Sequence, residues 1–259
     1  MKYLLIIQAR MSSKRLPGKI MREIQGLPIV EITYRRISRS KKLNKVIIAT
    51  TNNSNDDLLC EYLNKKKIDF FRGDENNVLK RFYSLAKKYE PKNIIRITSD
   101  CPLVDYRMLD EMIDYYELKK LDYYSNCWPP TFPDGVDIEI FTYKSLIETF
   151  KSAKSKHDKE HVTTYIKKNI KFKKDNYASD VDFSHLRWTI DEDLDFILVK
   201  KIFSHFKNTI FFSWKDVIKL GEKNKDFFNI NMKIIRNEKS IKKEIKDLEK
   251  LKSIKIKKK

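Results

Sequence analysis

The stretch Ile6–Ile20, IIQARMSSKRLPGKI, decides the fold, because it carries an apolar strand straight into a loop holding Arg10, Lys14, Arg15 and Lys19. Lys2–Gln8 is rich in Leu and Ile and alternates poorly, as expected of a strand buried on both faces of a parallel sheet. The loop then sits at the carboxyl edge of that sheet. Its cations suit a polyphosphate, Ser12 and Ser13 add hydroxyls, and Pro17 and Gly18 shape a turn whose backbone N–H groups can join them around phosphate oxygens. A solvated basic loop between strand and helix is the plainer reading of the same residues.

Outward from this loop, apolar runs recur at 2–8, 45–50, 93–98, 136–142 and 186–190. Helical spacing separates them at 27–39, 55–66, 76–89, 105–118 and 191–205. The alternation predicts an α/β fold with a mainly parallel, Rossmann-like sheet. In the first helix Ile29, Ile32 and Ile37 share a core-facing side, and Arg35, Arg36 and Arg39 read as a solvated face. Only five glycines occur, and neither GxGxxG nor the phosphate-loop pattern ending in Gly-Lys-Ser/Thr is present, so nicotinamide and P-loop chemistry lose support. Residues 120–135, with Asn126, Trp128, Pro129, Pro130, Pro133 and Gly135, predict a rigid irregular connection and a candidate substrate lid. From about residue 220 the chain turns lysine-rich, and NEKSIKKEIKDLEKLKSIK (237–255) has weak helical spacing. The expected organisation is a catalytic domain over 1–219 and a helical extension over 220–259.

The length of 259 residues suits one large α/β domain, and 41% hydrophobic with 12% aromatic residues argues against global disorder. Cys60, Cys101 and Cys127 lie far apart without metal-ligand spacing, and no signal-peptide pattern precedes the first strand, so a reducing cytoplasm is expected. No uninterrupted apolar run approaches the length of a membrane span. The net charge of +19 is the argument for a nucleic-acid or other polyanion partner, but the lysines are spread along the chain. No helix-turn-helix, RNP or zinc-finger signature accompanies them, and no specific nucleic-acid partner is expected.

Strand 93–98 runs into Ser99, Asp100, Cys101 and Pro102, placing a carboxylate where open α/β sheets bind ligands. Beside the cationic loop, Asp100 makes sense as a ligand for Mg2+ bridging to a nucleotide phosphate, or it simply shapes the turn before Pro102. Asp191, in LRWTIDEDLDF, reads equally as a second metal ligand or as a helix cap aided by Glu192 and Asp193. In PDGVDIEIF, Val136, Ile138 and Ile140 face the core, while Asp137 and Glu139 share the other face to bind an acceptor or to pair with lysines. His161 begins a helix as an acceptor contact, a proton carrier near neutral pH, or a core or capping group. Cys101 reads as small packing, and His157, His185 and His205 receive no role.

QARMSSKRLPGK closely resembles the N-terminal loop of bacterial sugar-acid cytidylyltransferases, the 3-deoxy-manno-octulosonate and acylneuraminate activating enzymes, and of related spore coat polysaccharide biosynthesis proteins. GLPIVEITYRRI, VIIATTNNSNDD, FFRGDENNVLKRF, RITSDCPLVD, TFPDGVDIEIF, KEHVTTYI and LRWTIDEDLDF continue the resemblance in order over about residues 1–205, the fifth and sixth pointing to the spore coat branch. The resemblance implies a three-layer α/β/α nucleotidyltransferase fold of GT-A-like type, and Mg2+-dependent transfer of CMP from CTP to an anionic sugar-like acceptor with release of pyrophosphate. It implies nucleotide contacts by Gln8, Ala9, Arg10, Ser12, Ser13, Arg15, Lys19, Arg72 and Asp100, with Arg15, Lys19 and Asp100 catalytic. It also implies metal ligation by Asp100 and Asp191 and a homodimer, while the residue pattern itself offers Asp134, Asp137, Glu139 and His161 as acceptor contacts. Some relatives carry D-x-D where this chain has Thr189 before Asp191. A GT-A-like glycosyltransferase using a nucleotide-sugar is the alternative enzyme, and a non-enzymatic polyanion binder the alternative of another class.

Overall fold

The strand Tyr3–Gln8 buries both its faces: Leu5 and Ile7 join one apolar cluster, and Leu4 and Ile6 join the other. The computed structural model describes residues 1–207, 209–224 and 226–236, so the expected helix over 237–255 lies outside the described residues. In chain order the strands are β1 (Tyr3–Gln8), β2 (Glu23–Ile24), β3 (Leu27–Pro28), β4 (Lys45–Thr51), β5 (Phe70–Gly73), β6 (Asn93–Thr98), β7 (Tyr123–Ser125), β8 (Glu139–Thr142) and β9 (Lys174–Asn176). The helices are α1 (Ile29–Ile37), α2 (Asp57–Lys65), α3 (Val78–Tyr89), α4 (Tyr106–Lys119), α5 (Tyr143–Ser152), α6 (Lys156–His161), α7 (Thr164–Lys168), α8 (Asp193–His205) and α9 (Trp214–Lys223).

Seven strands form one sheet in the order β5-β4-β1-β6-β8-β7-β9. Its first four strands are parallel, β8 is antiparallel to both β6 and β7, and β9 is parallel to β7. The α/β fold with a mainly parallel sheet is therefore as expected. One face packs against α1, α2, α4, α8 and α9, and the other against α3, α5 and α7, which gives the three layers. Such two-sided burial accounts for the near-continuous apolar runs in β1, β4 and β6.

Local chemistry sets the helix starts. The Asn77 side chain accepts the Lys80 amide at 2.9 Å, and that of Asp105 accepts the Arg107 amide at 3.0 Å. Asp195, inside α8, accepts the amides of Asp191 and Glu192 at 3.0 Å each, which frees the Asp191 side chain from capping.

Five expectations differ from the structure. The run 186–190 forms no strand. It makes a single bridge, Asp134 to Arg187, and looks strand-like because Trp188 and Ile190 are fully buried. The strand expected over 136–142 begins only at Glu139. The candidate lid over 120–135 contains β7, and the buried Asn126 ties it down by donating to the Val136 carbonyl and accepting the Ile138 amide at 2.9 and 2.8 Å. Arg36 is 2% exposed rather than solvated, because its guanidinium donates to the carbonyls of Leu103, Val104, Ile210 and Phe212. The boundary proposed at 219/220 falls within α9, and Phe227 and Asn231 beyond it are buried in the body.

Candidate active site

β1 and β6 are parallel neighbours, so the loops leaving their carboxyl ends share one crevice. There lies a cavity of about 550 Å³, walled by Gln8, Ala9, Arg10, Ser13, Lys14, Arg15 and Lys19 on one side and by Thr98, Ser99, Asp100, Asp134, Asp137, His161, Arg187 and Asp191 on others. Asp56, 1% exposed, holds the start of the cationic loop. Its carboxylate accepts the Met11 amide at 2.7 Å, the Thr50 hydroxyl at 2.8 Å and the Thr51 amide at 3.0 Å. Gly18, at φ +68°, reverses the chain into the single turn Lys19–Met21, a conformation that side chains resist.

Lys19 therefore enters the crevice from below and ends among oxygens. Its ammonium donates to Asp100 Oδ2 at 2.5 Å, to the Ile190 carbonyl at 2.7 Å and to Asp191 Oδ1 at 2.8 Å. Burial alone would depress the Lys19 pKa, but the two carboxylates outweigh it and raise the value. Burial likewise opposes ionisation of Asp100, and Lys19 reverses the effect, leaving its pKa below the ordinary carboxylate value. The other oxygen of Asp191 is held by Arg15 at 2.6 Å and by Arg187 at 2.9 Å. Arg10 and Lys14 have no carboxylate within ion-pair distance among the described residues.

The segment 186–191 links this centre to the acidic wall. The Asp134 carbonyl accepts the amides of Trp188 and Thr189 at 2.6 and 2.8 Å, and the Asp100 carbonyl accepts the Ile190 amide at 2.9 Å. Gly135, at φ +114°, lies so close beneath it that a Cβ would stand 2.4 Å from the Thr189 nitrogen. Asp134 pairs with Arg187 at 2.8 Å, and Asp137 accepts two bonds from Arg236 at 2.9 and 3.0 Å. Burial, then the proximity of Asp137, pushes the Asp134 pKa up to about 7 despite both guanidinium groups. Glu139 sits behind this wall, 3% exposed, accepting from Arg96, Lys167 at 2.9 Å, Tyr123 at 2.7 Å and Thr163 at 2.6 Å. Burial would raise its pKa, but Lys167 and Arg96 hold it well below the usual carboxylate range. His161 stands on α6 with the His157 ring 4.4 Å away. Crowding by the pocket walls, then His157, pushes its pKa down to about 4, so the ring is neutral at pH 7 although it opens to solvent.

Of the residues singled out from sequence, Gln8, Ala9, Arg10, Ser13, Arg15, Lys19, Asp100, Asp134, Asp137, His161 and Asp191 line the cavity. Ser12, Arg72 and Glu139 do not. The Ser12 hydroxyl donates to Glu75 at 3.3 Å, and Arg72 secures the Thr51 and Asn53 carbonyls at 2.8 Å each and Asp57 at 2.7 Å. Cys101 is buried, and that burial together with Asp100 keeps its thiol protonated, which suits packing. Sequence reasoning missed Arg96, Arg187, Arg236 and His157. A cation inside the apolar strand NIIRIT was the available signal for Arg96, which binds the Gln8 side-chain oxygen at 3.0 Å. Nothing local marks Arg236.

Among the described residues no cluster of three or more His, Cys, Asp or Glu side chains is arranged to hold a metal ion. Asp100, Asp191 and the Ile190 carbonyl nevertheless form an all-oxygen set that already surrounds a cation, the Lys19 ammonium. Mg2+ commonly takes only one or two protein carboxylates, with water and substrate phosphates completing its shell, so this donor set fits it.

A sheet with this order and a phosphate-suited crevice at its carboxyl edge define a nucleotidyltransferase-like α/β protein. The cytidylyltransferase family model matches residues 4–254, and the chain belongs to that family of enzymes. The protein MJ1063 of Methanocaldococcus jannaschii is 35% identical over 237 residues, covering 90% of this chain and 96% of that one. The spore coat polysaccharide biosynthesis protein SpsF of Bacillus subtilis is 31% identical over 231 residues, covering 86% and 95%. A solved cytidylyltransferase structure from Leptospira borgpetersenii superposes with a TM-score of 0.83 at 35% identity, covering 88% of this chain and 97% of that one. No helix among the described residues is long and apolar enough to cross a membrane.

Proposed function

We propose that this enzyme transfers CMP from CTP to a hydroxyl of an anionic sugar-like acceptor, releasing pyrophosphate, in glycan or surface-polysaccharide synthesis. The carrying observation is one cavity in which the cationic loop after β1 faces Asp100 and Asp191. CTP is supported by membership of the cytidylyltransferase family. A polysaccharide destination is supported by the likeness to SpsF, and the sugar-acid acceptor by the resemblance of the loop and strand-end motifs.

Arg10, Lys14 and Arg15 would gather the β- and γ-phosphates, where negative charge grows as pyrophosphate leaves. Asp100 and Asp191 would hold Mg2+, which when bound supplies neutralisation of phosphate charge. The acceptor would lie against Asp134, Asp137 and His161, where the neutral imidazole and the carboxylates orient hydroxyls by hydrogen bonds. In the transfer, the acceptor oxygen forms a bond to the α-phosphorus, the bond from that phosphorus to the bridging oxygen breaks, and the hydroxyl proton passes to solvent. Positioning and fixed charges supply the acceleration, so no nucleophilic triad is needed.

A pyrophosphate-release assay with CTP, UTP, GTP and ATP against a panel of sugar acids and phosphorylated sugars tests the assignment. CTP with a sugar acid is the expected productive pair. Absence of pyrophosphate from every combination in the presence of Mg2+ would reject it.

A further inference from the structure

Three oxygens from two separate loops converge on one lysine nitrogen: Asp100 Oδ2 at 2.5 Å, the Ile190 carbonyl at 2.7 Å and Asp191 Oδ1 at 2.8 Å. An ammonium has three N–H donors and no acceptor, so all the donors of Lys19 are engaged. In that position it cannot also bind a phosphate. The Lys19 side chain is only 8% exposed, so bulk water offers its donors no alternative. The same two carboxylates are the oxygens a divalent ion needs at this edge, and two cations cannot share them. The buried turn Lys19–Met21 fixes the Lys19 backbone, but its four-carbon stem can redirect the charge.

We propose that Lys19 is the resident cation of the metal position, and that it leaves the carboxylates for the triphosphate when nucleotide and metal arrive together. This rests on the cytidylyl-transfer reading for the identity of the incoming ligands. With no phosphate to accept it, the ammonium competes with the divalent ion, and the free protein binds metal weakly. A triphosphate draws Lys19 toward itself and uncovers Asp100 and Asp191, so nucleotide and metal strengthen each other's binding by the same factor. Lys19 thereby acts twice: it holds the two carboxylates in place before substrate binds, and it then neutralises the leaving group. The site would thus admit the metal–nucleotide complex in preference to metal alone.

The test is Mn2+ alone, titrated by calorimetry and by its electron paramagnetic resonance signal, with no nucleotide present. Lys19→Met removes the charge at similar length, and Lys19→Gln covers the case in which that variant does not fold, thermal unfolding being checked for each. The expected result is that a folded variant binds Mn2+ at least about tenfold more tightly than the wild type, a usual size for coupling between sites. Adding Asp100→Asn should abolish that gain. A folded variant that binds Mn2+ no more tightly than the wild type overturns the proposal, as does a gain that survives Asp100→Asn. If the wild type releases pyrophosphate from CTP while the variants gain no Mn2+ affinity, only the resident-cation role falls. If the variants gain affinity and no pyrophosphate is released with any nucleotide, the reaction assignment falls and the competition stands.

Discussion

The two sides of the crevice balance charge in opposite ways. On the parallel side, built on β5, β4, β1 and β6, the loop after β1 presents Arg10 and Lys14 without carboxylate partners among the described residues. On the antiparallel side, built on β8, β7 and β9, the acids are already matched: Asp134 by Arg187, Asp137 by Arg236 and Glu139 by Arg96 and Lys167. The first side is incomplete without an added polyanion, whereas the second is complete and can discriminate only by shape and hydrogen bonding. Lys19 stands at the seam, a cation of the first side held by the carboxylates of the crevice.

The largest effect should come from Asp100→Asn. It removes the carboxylate nearest the Lys19 ammonium, in contact at 2.5 Å, while keeping the shape of the turn. Turnover of CTP to pyrophosphate should fall by about 10²–10³-fold or more, the scale of losing one fixed electrostatic contact to the reacting phosphates, with the circular dichroism spectrum unchanged. If Asp137→Asn lowered CTP turnover as much with saturating acceptor, the division between the two sides would be broken.

Glu139→Gln should be the next largest and should act on stability. It leaves Arg96 and Lys167 facing each other without their shared carboxylate, and loss of one partner of a buried ion pair costs about 3–5 kcal/mol. The sign with pH follows from the depressed folded pKa of Glu139 relative to its ordinary 4.5. Its stabilisation is complete above that ordinary value and is lost as pH falls through the depressed one. The wild-type advantage in chemical denaturation should therefore be full at pH 7, begin to shrink below about pH 4.5 and be gone once the pH is below the depressed value. A deficit that is equal at every pH would mean that packing, and not charge, sets the role of Glu139.

A smaller effect, on the open side, is expected from Asp56→Ala. This carboxylate holds the Met11 amide at 2.7 Å and the Thr51 amide at 3.0 Å, and stranding such buried donors costs about 1–3 kcal/mol. The cationic loop would lose its anchor while keeping every cation, so KM for CTP should rise roughly tenfold, with kcat changed much less. An equal fall in kcat would place Asp56 closer to the reacting groups than its contacts indicate.

The same contrast explains what the sequence disclosed. The parallel side is built from strand, loop and helix in succession, so IIQARMSSKRLPGK and RITSDCP carry their geometry within a few residues of chain. Lys19 meeting Asp100 follows once β1 and β6 are neighbours. The antiparallel side is assembled from distant pieces: Glu139 meets Arg96 and Lys167, and Asp137 meets Arg236, with no spacing that announces either pairing. Asp137 and Glu139 stand two residues apart, yet Asp137, ahead of the strand, opens on the cavity while Glu139, its first residue, is sealed by the residues around it. The stretch 186–190 misled because burial, and not strand pairing, made it apolar. Arg36 misled because helical spacing cannot show that the carbonyls of Val104 and Phe212 would come to meet it.

The smallest effect, and the finest probe of the matched side, is Arg236→Ala. Arg236 donates to both oxygens of Asp137, at 3.0 and 2.9 Å, and approaches Asp134 at 3.7 Å. Burial raises the Asp137 pKa, and Arg236 is the first of the charges opposing that rise, so removing it should move the value further up. Asp137 would then hold its proton to a higher pH than in the wild type, and the protonated carboxyl can donate a hydrogen bond where the ionised one only accepts. The KM for the acceptor should change by about threefold to tenfold, or ~0.7–1.4 kcal/mol, while the KM for CTP stays the same. Raising the pH should restore the acceptor KM toward the wild-type value as Asp137 ionises. A shift in CTP affinity instead would show that the two sides are coupled through Asp134 and Arg187, and the crevice would have to be treated as one electrostatic unit.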